Sequence, residues 1–167
     1  LKIKVFYQKI KSIIIFTFST SSSNASIPYT LKEVTSKYGF DKSYASFSVP
    51  LGATINMDGT AIMQGCATFF LAAYYGINLD FSDILTIIFT ATIASIGTAG
   101  IPSAGIIMLS LILVEIGIPT EGIALLLGVD RLLDMIRTSV NVAGDTCITC
   151  IIASSENLID NDKYHSV

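Results

Sequence analysis

This sequence carries little charge. Asp, Glu, Lys and Arg make up 14% of its 167 residues, against about 25% in an average soluble domain. Apolar residues reach 51% and the mean hydropathy is +0.66, so a membrane suits the chain better than water. The net charge of -3 is small and excludes the basic stripe that nucleic-acid binding requires. Histidine is nearly missing: His165 is alone and lies in the C-terminal tail. That leaves no Ser-His or Cys-His constellation and no metal cluster, so an enzyme is not expected. Cys66, Cys147 and Cys150 are an odd number and none falls in a loop, which excludes a disulfide framework. Cys147 and Cys150 form a CxxC, but inside an apolar stretch without a second pair, where small-residue packing is the better reading. An initiator Met is missing before Leu1, so a fragment or a processed product is expected.

Lys and Arg are also missing from 77–83 and 117–121, whereas Lys2, Lys4, Lys9, Lys11, Lys32, Lys37 and Lys42 precede the first full crossing. The positive-inside rule then puts the lysine-rich N-terminal end in the cytoplasm and those two loops outside. The final crossing returns the tail to the cytoplasm.

What charge there is concentrates in DRLLDMIRTSVNVAGD, Asp130 to Asp145. On a helix advancing about 100° per residue, Asp130, Asp134, Arg137, Asn141 and Asp145 fall within roughly 80° of arc. The opposite face is apolar, with Leu132, Leu133, Met135, Ile136, Val140 and Val142. The apolar surroundings, 123–153, are long enough for a bilayer crossing, which takes roughly 20 residues. Charges at membrane depth normally face a bundle interior or a water-filled cavity, which makes this stripe the candidate site. A soluble amphipathic helix with a solvated stripe is the alternative.

The rest of the chain supplies elements that can face the stripe. About 8–44 reads as a helical hairpin whose tip is the serine cluster Ser19 to Ser26, with Pro28 breaking the helix; a flexible Ser-rich linker is the alternative. The apolar stretch 47–76 is interrupted by Asn56-Met57-Asp58-Gly59-Thr60. An unwound turn there exposes carbonyls beside Asp58, oxygen ligands of the kind a hard cation takes, unless it is a soluble Asp-Gly turn. About 81–118 holds two thirteen-residue apolar runs, 84–96 and 104–116, joined by Gly97-Thr98-Ala99-Gly100-Ile101-Pro102-Ser103. Each run is too short to span, so together they describe a re-entrant hairpin. A transmembrane helix follows at 121–155, then a polar tail at 158–167 expected to fray. Hairpin, broken helix, hairpin, polar-faced helix is the doubling of an inverted-repeat transporter core. The expected fold class is therefore an all-α membrane protein.

Four segments in this order resemble the dicarboxylate/amino acid:cation symporter family, which comprises glutamate/aspartate and neutral amino acid transporters. They are Ser21-Ser22-Ser23 with Pro28, Asn56 to Thr60, Ser95-Ile96-Gly97-Thr98-Ala99-Gly100, and Asp134-Met135-Ile136-Arg137-Thr138 through Asp145. The resemblance covers nearly all of 13–157. It implies that 1–157 is the C-terminal part of a transport domain, without the family's preceding scaffold helices. It also implies a homotrimeric, multi-pass protein of the plasma (inner) membrane, in contact with lipid, that moves its substrate by an elevator motion coupled to sodium, with a proton as the other possible ion.

Carried over residue by residue, the family pattern makes Asp134 the partner of a substrate ammonium and Arg137 the clamp on a side-chain carboxylate. Thr138 and Asn141 would bond the substrate, and Ser23, Thr60 and the backbone of Ile101 and Gly105 would close the pocket. Sodium would fall on Gly52, Asn56, Asn141 and Asp145, on Thr54, Ser95, Ile96 and Thr98, and on Asp58 with Asn56. Asp130 is left to hold Arg137 or a neighbour in place. A dicarboxylate has no need of Asp134 and a neutral amino acid no need of Arg137, so having both points to glutamate or aspartate. C4-dicarboxylate or neutral amino acid symport, and a truncated non-functional fragment, remain as alternatives. The chain departs from the family pattern at Ser21, Asn24, Ser26 and Met135.

Overall fold

Serine begins a helix here as readily as it ends one. In the computed structural model, which describes residues 2–166, α1 (Ile3–Thr20) ends at Ser21, a left-handed residue whose N-H still reaches the carbonyl of Thr17. Ser22 then caps α2 (Ser23–Ser36), its Oγ accepting from the N-H of Ala25 at 3.1 Å. The serine cluster is therefore a two-residue turn followed by the first turn of a helix. Pro28, expected to break the chain, lies inside α2; it removes the bond to the carbonyl of Asn24 while the helix continues past it.

Asp41 caps α3 (Lys42–Ile55) by accepting from the N-H of Tyr44 at 3.0 Å, so this helix starts inside the range expected for the first hairpin. It stops at Asn56, and α4 (Asp58–Tyr74) restarts after Met57. The break is thus two residues wide, narrower than the five expected, because Asp58, Gly59 and Thr60 form the first turn of α4. A reciprocal capping box between Asp80 and Asp83 starts α5 (Phe81–Ile96). α6 (Ala104–Ile116) ends at Gly117, at φ 78. After a short turn at Thr120–Gly122, α7 (Ile123–Ser155) runs for 33 residues, roughly 50 Å.

The tail is not frayed. It forms α8 (Asn161–His165) and docks on the start of the chain, with Tyr164 fully buried and its hydroxyl donating to the carbonyl of Lys2 at 3.3 Å. Two backbone bonds hold the segment before it: Asp41 N-H to Leu158 O and Asp160 N-H to Gly39 O, both 2.8 Å. Lys9 donates to the carbonyl of Lys163 at 2.8 Å and lies over the Tyr164 ring.

Three apolar cores result among the described residues, a small one of Ala91, Ala94 and Ile112 between α5 and α6 and two larger ones to which α7 belongs. One gathers Ile13, Val34, Tyr38, Phe40, Val49, Ala153 and Tyr164 around the C-terminal half of α7. The other gathers Ala67, Leu71, Ile106, Leu109, Leu113 and Leu126 around its N-terminal end. The polar stripe lies between them. Among the described residues every regular element is a helix, and no helix is long and apolar enough to cross a membrane. In the two stretches expected to cross, 47–76 and 121–155, the break divides the first into two shorter helices, and α7 has the length but carries the polar stripe. The outer surface is nonetheless strongly apolar, with Ile15, Phe47, Ile62, Phe89, Ile107, Val114 and Ile136 all exposed.

Candidate functional site

The helical period of α7 turns its stripe inward: Asp130, Asp134, Arg137, Thr138, Asn141 and Asp145 are all buried. A buried charge needs a partner, and Arg137 has one a turn away. Its Nε donates to Asp134 Oδ1 at 3.1 Å, and Nη2 makes an ion pair with the same oxygen. Asp134 Oδ2 accepts from the N-H of Ser103 at 2.9 Å. The third guanidinium nitrogen, Nη1, is buried and has no hydrogen-bond partner among the described residues. It rests against the Cα of Gly105, where a Cβ would overlap it. The Arg137 fork is thus half on Asp134, with its remaining donors directed elsewhere. Asp130 makes no hydrogen bond to Arg137 among the described residues; its Oδ2 accepts from Ser103 Oγ at 2.7 Å, and Ser103 in turn bonds Asp134.

The helix break is fastened to the same face. Asn141 Nδ2 donates to Thr60 Oγ1 at 3.1 Å and to Met57 Sδ at 3.2 Å, and Asn141 Oδ1 accepts from the N-H of Thr60 at 3.3 Å. Side chain and backbone of the break are therefore read by one amide. The two hairpin tips meet above it. The carbonyl of Gly100 accepts from Ser22 Oγ at 2.7 Å and from the N-H of Asn24 at 3.1 Å. A Cβ at Gly100 would lie 2.6 Å from Asn24 Oδ1, so the tips touch backbone to side chain.

Together these contacts line a narrow cleft of about 10 Å³, room for about one water molecule. Ser23, Thr60, Ile101, Gly105, Asp134, Arg137, Thr138 and Asn141, the eight residues expected around a substrate, all line it, along with Ser21, Met57, Thr98, Ala99 and Gly100. The side chain of Ile101 is exposed, which leaves its backbone for the cavity.

The residues expected at cations divide into those brought together and those not. Gly52 lies directly against the Asp145 carboxylate, where a Cβ would overlap it, and Thr149 Oγ1 donates to Asp145 Oδ1 at 3.4 Å. With its amide nitrogen facing Asp58, Asn56 donates to both carboxylate oxygens at 3.0 and 3.1 Å and accepts from the N-H of Asp145 at 2.5 Å. So Gly52, Asn56, Asp58 and Asp145 form one neighbourhood. Of Thr54, Ser95, Ile96 and Thr98, the last three lie together at the end of α5, where the N-H of Thr98 donates to the carbonyl of Ser95 at 3.1 Å; among the described residues Thr54 shares no hydrogen bond with them. Thr54 and Ser95 donate their hydroxyls back to their own helices, Thr98 donates to the carbonyl of Ala94 in the helix before it, and Ile96 is exposed. Among the described residues no group of three His, Cys, Asp or Glu could hold a metal. Single carboxylates with amide and backbone oxygens make a hard, weakly charged donor set.

Some contacts at the site carried no sequence signal. Ser103, Ser22 and Met57 lie in segments that the sequence singles out, but their partners stand 31 to 84 positions away in the chain. Gln64, fully buried, donates to the carbonyl of Gly105 at 3.2 Å and so supports the surface under Arg137; it looks like any polar residue in a helix.

The family model described as sodium:dicarboxylate symporter family matches residues 1–155. Excitatory amino acid transporter 2 of Homo sapiens is 45% identical over 155 residues, covering 92% of this chain and 27% of that protein. Excitatory amino acid transporter 5 of Homo sapiens is 44% identical over 149 residues, 89% of this chain and 27% of that protein. Excitatory amino acid transporter 1 of Rattus norvegicus is 44% identical over 142 residues, 85% of this chain and 26% of that protein. The chain spans about a quarter of the length of these curated relatives, which are transporters and not enzymes.

Proposed function

We propose, from the premise that this chain belongs to the sodium:dicarboxylate symporter family, that it forms the substrate- and ion-binding core of a transporter that moves glutamate or aspartate across the plasma (inner) membrane. One observation carries the reading: Arg137 is buried against Asp134, yet its Nη1, at a cleft where both hairpin tips meet, has no hydrogen-bond partner among the described residues. A planar guanidinium matches a carboxylate bidentately. Asp134 supplies the opposite charge for an amine. With the tips drawn apart to make room, an acidic amino acid would satisfy both, its side-chain carboxylate on Arg137 and its ammonium on Asp134, with Thr138, Asn141 and Thr60 offering further hydrogen bonds.

Sodium enters as a co-substrate, with a proton as the other candidate ion. Asp145 against Gly52, with Asn56, Asn141 and Asp58 nearby, is the donor set that would bind it, and the cation would offset the buried carboxylate of Asp145. Coupling follows if the tip at 97–105 closes stably only over substrate and ion together. α1–α2 and α5–α6 then act as re-entrant hairpins, while α3–α4 and α7 cross. Their polar faces turn to one another and the exposed apolar side chains face lipid or other helices of the whole protein, which the reading takes to be trimeric and to move this core as an elevator. The lysine-rich end and the tail face the cytoplasm.

Removing one partner of a buried charge pair costs about 2 to 5 kcal/mol, on the order of 100-fold in affinity. In the whole transporter reconstituted into liposomes, Arg137→Ala should therefore abolish labelled aspartate uptake and spare that of a neutral amino acid; unchanged aspartate uptake sinks the assignment. Replacing sodium by choline at constant pH should stop uptake, and proton coupling would leave it running. The family description itself names dicarboxylates, which supports succinate-like molecules as a second reading. Succinate competing with aspartate as strongly as unlabelled aspartate does would favour it.

A further inference from the structure

The lysine-rich end of the chain gathers charge that neither the substrate cleft nor the ion neighbourhood uses. About three helical turns of α1 separate Lys9 from the serine tip. At this end Lys9, Lys11, Lys37, Gln8, Ser12 and Ser36 line a pocket of about 530 Å³ between α1 and the close of α2. Of the three ammonium groups only that of Lys37 meets a carboxylate, Glu33 Oε2 at 2.5 Å, and the same oxygen accepts from Ser12 Oγ at 2.5 Å. Lys9 is 9% exposed and makes no ion pair among the described residues. Its Nζ donates to the carbonyls of Lys37 and Lys163, which leaves one of its three donors unused. Lys11 is exposed and likewise makes no ion pair among the described residues. Burying a charge without a counter-charge is costly. Two positive charges therefore stand at this pocket without a carboxylate from the described residues.

We propose that this pocket binds the phosphomonoester headgroup of an anionic lipid. A phosphomonoester carries about 1.5 to 2 negative charges at neutral pH and three strong acceptor oxygens, which matches the two charges left over. Ser12 and Ser36 already donate their hydroxyls, to Glu33 and to the carbonyl of Lys32, so the three lysines and the Gln8 amide carry the recognition. A phosphodiester brings a single charge and leaves half of the excess uncompensated. Two observations select a lipid over a free phosphate ion. The pocket falls in the range of sites for organic ligands, roughly 300 to 1,000 Å³, far more than one phosphate fills. Ile15, 68% exposed, forms its wall on the side of the tip, and Phe18, also exposed, follows on the same face of α1. Lys11, Ile15 and Phe18 thus run from a charged pocket to an apolar strip that an acyl chain can cover. Basic pockets at the cytoplasmic side of helices are suited to such headgroups. That orientation belongs to the transport reading, whereas the pocket and its charge do not depend on it.

The test titrates the whole protein, purified in detergent, with dihexanoyl phosphatidic acid, dihexanoyl phosphatidylserine and inorganic phosphate, and follows binding by calorimetry. Phosphatidic acid should bind several-fold more tightly than either of the others. Lys11→Gln removes an exposed charge that makes no ion pair among the described residues, and should weaken phosphatidic acid binding about 10-fold, the worth of one hydrogen bond to a charged group. Lys11→Arg keeps the charge and should keep most of the binding. Lys42→Gln changes an exposed lysine of the same end that does not line the pocket, and should have little effect. Equal losses in Lys11→Gln and Lys42→Gln would mean a diffuse basic surface, and phosphatidylserine binding as tightly as phosphatidic acid would mean no recognition of a phosphomonoester; either overturns the proposal. Inorganic phosphate binding as tightly as phosphatidic acid overturns the lipid as its source. None of these titrations involves aspartate or sodium, so their failure leaves the transport reading intact, and failure of that reading leaves them decisive.

Discussion

At the scale of single residues, the site depends on side chains that are missing. Gly105 has no room for a Cβ beside Arg137 Nη1, with Met63 Cε close on the other side. Overpacking typically costs about 1 to 3 kcal/mol, and here the flexible group that must yield is the guanidinium itself. Gly105→Ala should therefore weaken aspartate binding about 10-fold or more, with a smaller effect on a neutral amino acid; equal losses for both would mean that the whole tip moves instead. Gly52→Ala makes the matching prediction for the ion, since its methyl would displace the Asp145 carboxylate. The sodium concentration giving half-maximal uptake should rise several-fold, and an unchanged value would remove Gly52 and Asp145 from the ion site. The charged members of the stripe were legible in the sequence because a 3.6-residue period groups them on one face of an apolar helix. The partners of those charges were not. Ser103 reaches Asp134 only through a positive φ, and Gly100 becomes an acceptor only once the two tips meet.

At the scale of elements, punctuation was read well where it was local and poorly where it was not. Gly97 to Ser103 marks a turn by composition alone, and α5 and α6 flank it as expected. Pro28 misled because the cap that starts α2 is supplied by Ser22, so the helix was already under way when the proline arrived. The tail misled more strongly, since its composition is polar and its docking site lies at the other end of the chain. Gly39, at φ 73, lets the backbone pass so close to the carbonyl of Asp160 that a Cβ would lie 2.7 Å away. Docking should depend on pH at both ends of the scale. Asp160 caps α8, and the backbone N-H of Lys163, aided by the Lys163 ammonium and the N-H of Asp162, holds its carboxyl below the usual range. A depressed pKa stabilises above the unfolded value of about 4 and loses that effect as pH falls through the lower, folded value. Burial raises the Tyr164 phenol to about 12. Its contribution is complete below the unfolded value of about 10 and is lost as pH rises through the folded one. The ring signals of Tyr164 in an NMR titration should therefore stay constant from about pH 5 to 9 and shift outside that window, with the acid limb reduced in Asp160→Asn. A tail free at neutral pH would show random-coil ring shifts throughout.

At the scale of the whole molecule, α7 ties two apolar cores together through a middle that is polar and buried. The charges there include three carboxylates, Asp130, Asp134 and Asp145, and one arginine, Arg137, so the middle is the part that bound cations and ligand can stabilise most. Anything that binds the folded state alone adds RT ln(1 + [L]/Kd), about 2.7 kcal/mol at a hundredfold excess over Kd. If ion and amino acid bind in one coupled site, each raises the affinity of the other by the same factor. Unfolding of the purified transporter should show this directly. Aspartate added in choline should leave Tm almost unchanged, sodium alone should raise it modestly, and the two together should raise it by more than the sum. Strictly additive shifts would mean that the Asp145 neighbourhood and the Arg137 cavity bind independently, which is incompatible with coupling through this helix. Repeating the measurement in Asn141→Ala localises the link. Asn141 holds the break at Met57 and Thr60 while facing the substrate cavity, so its loss should return the combined shift to the sum of the separate ones.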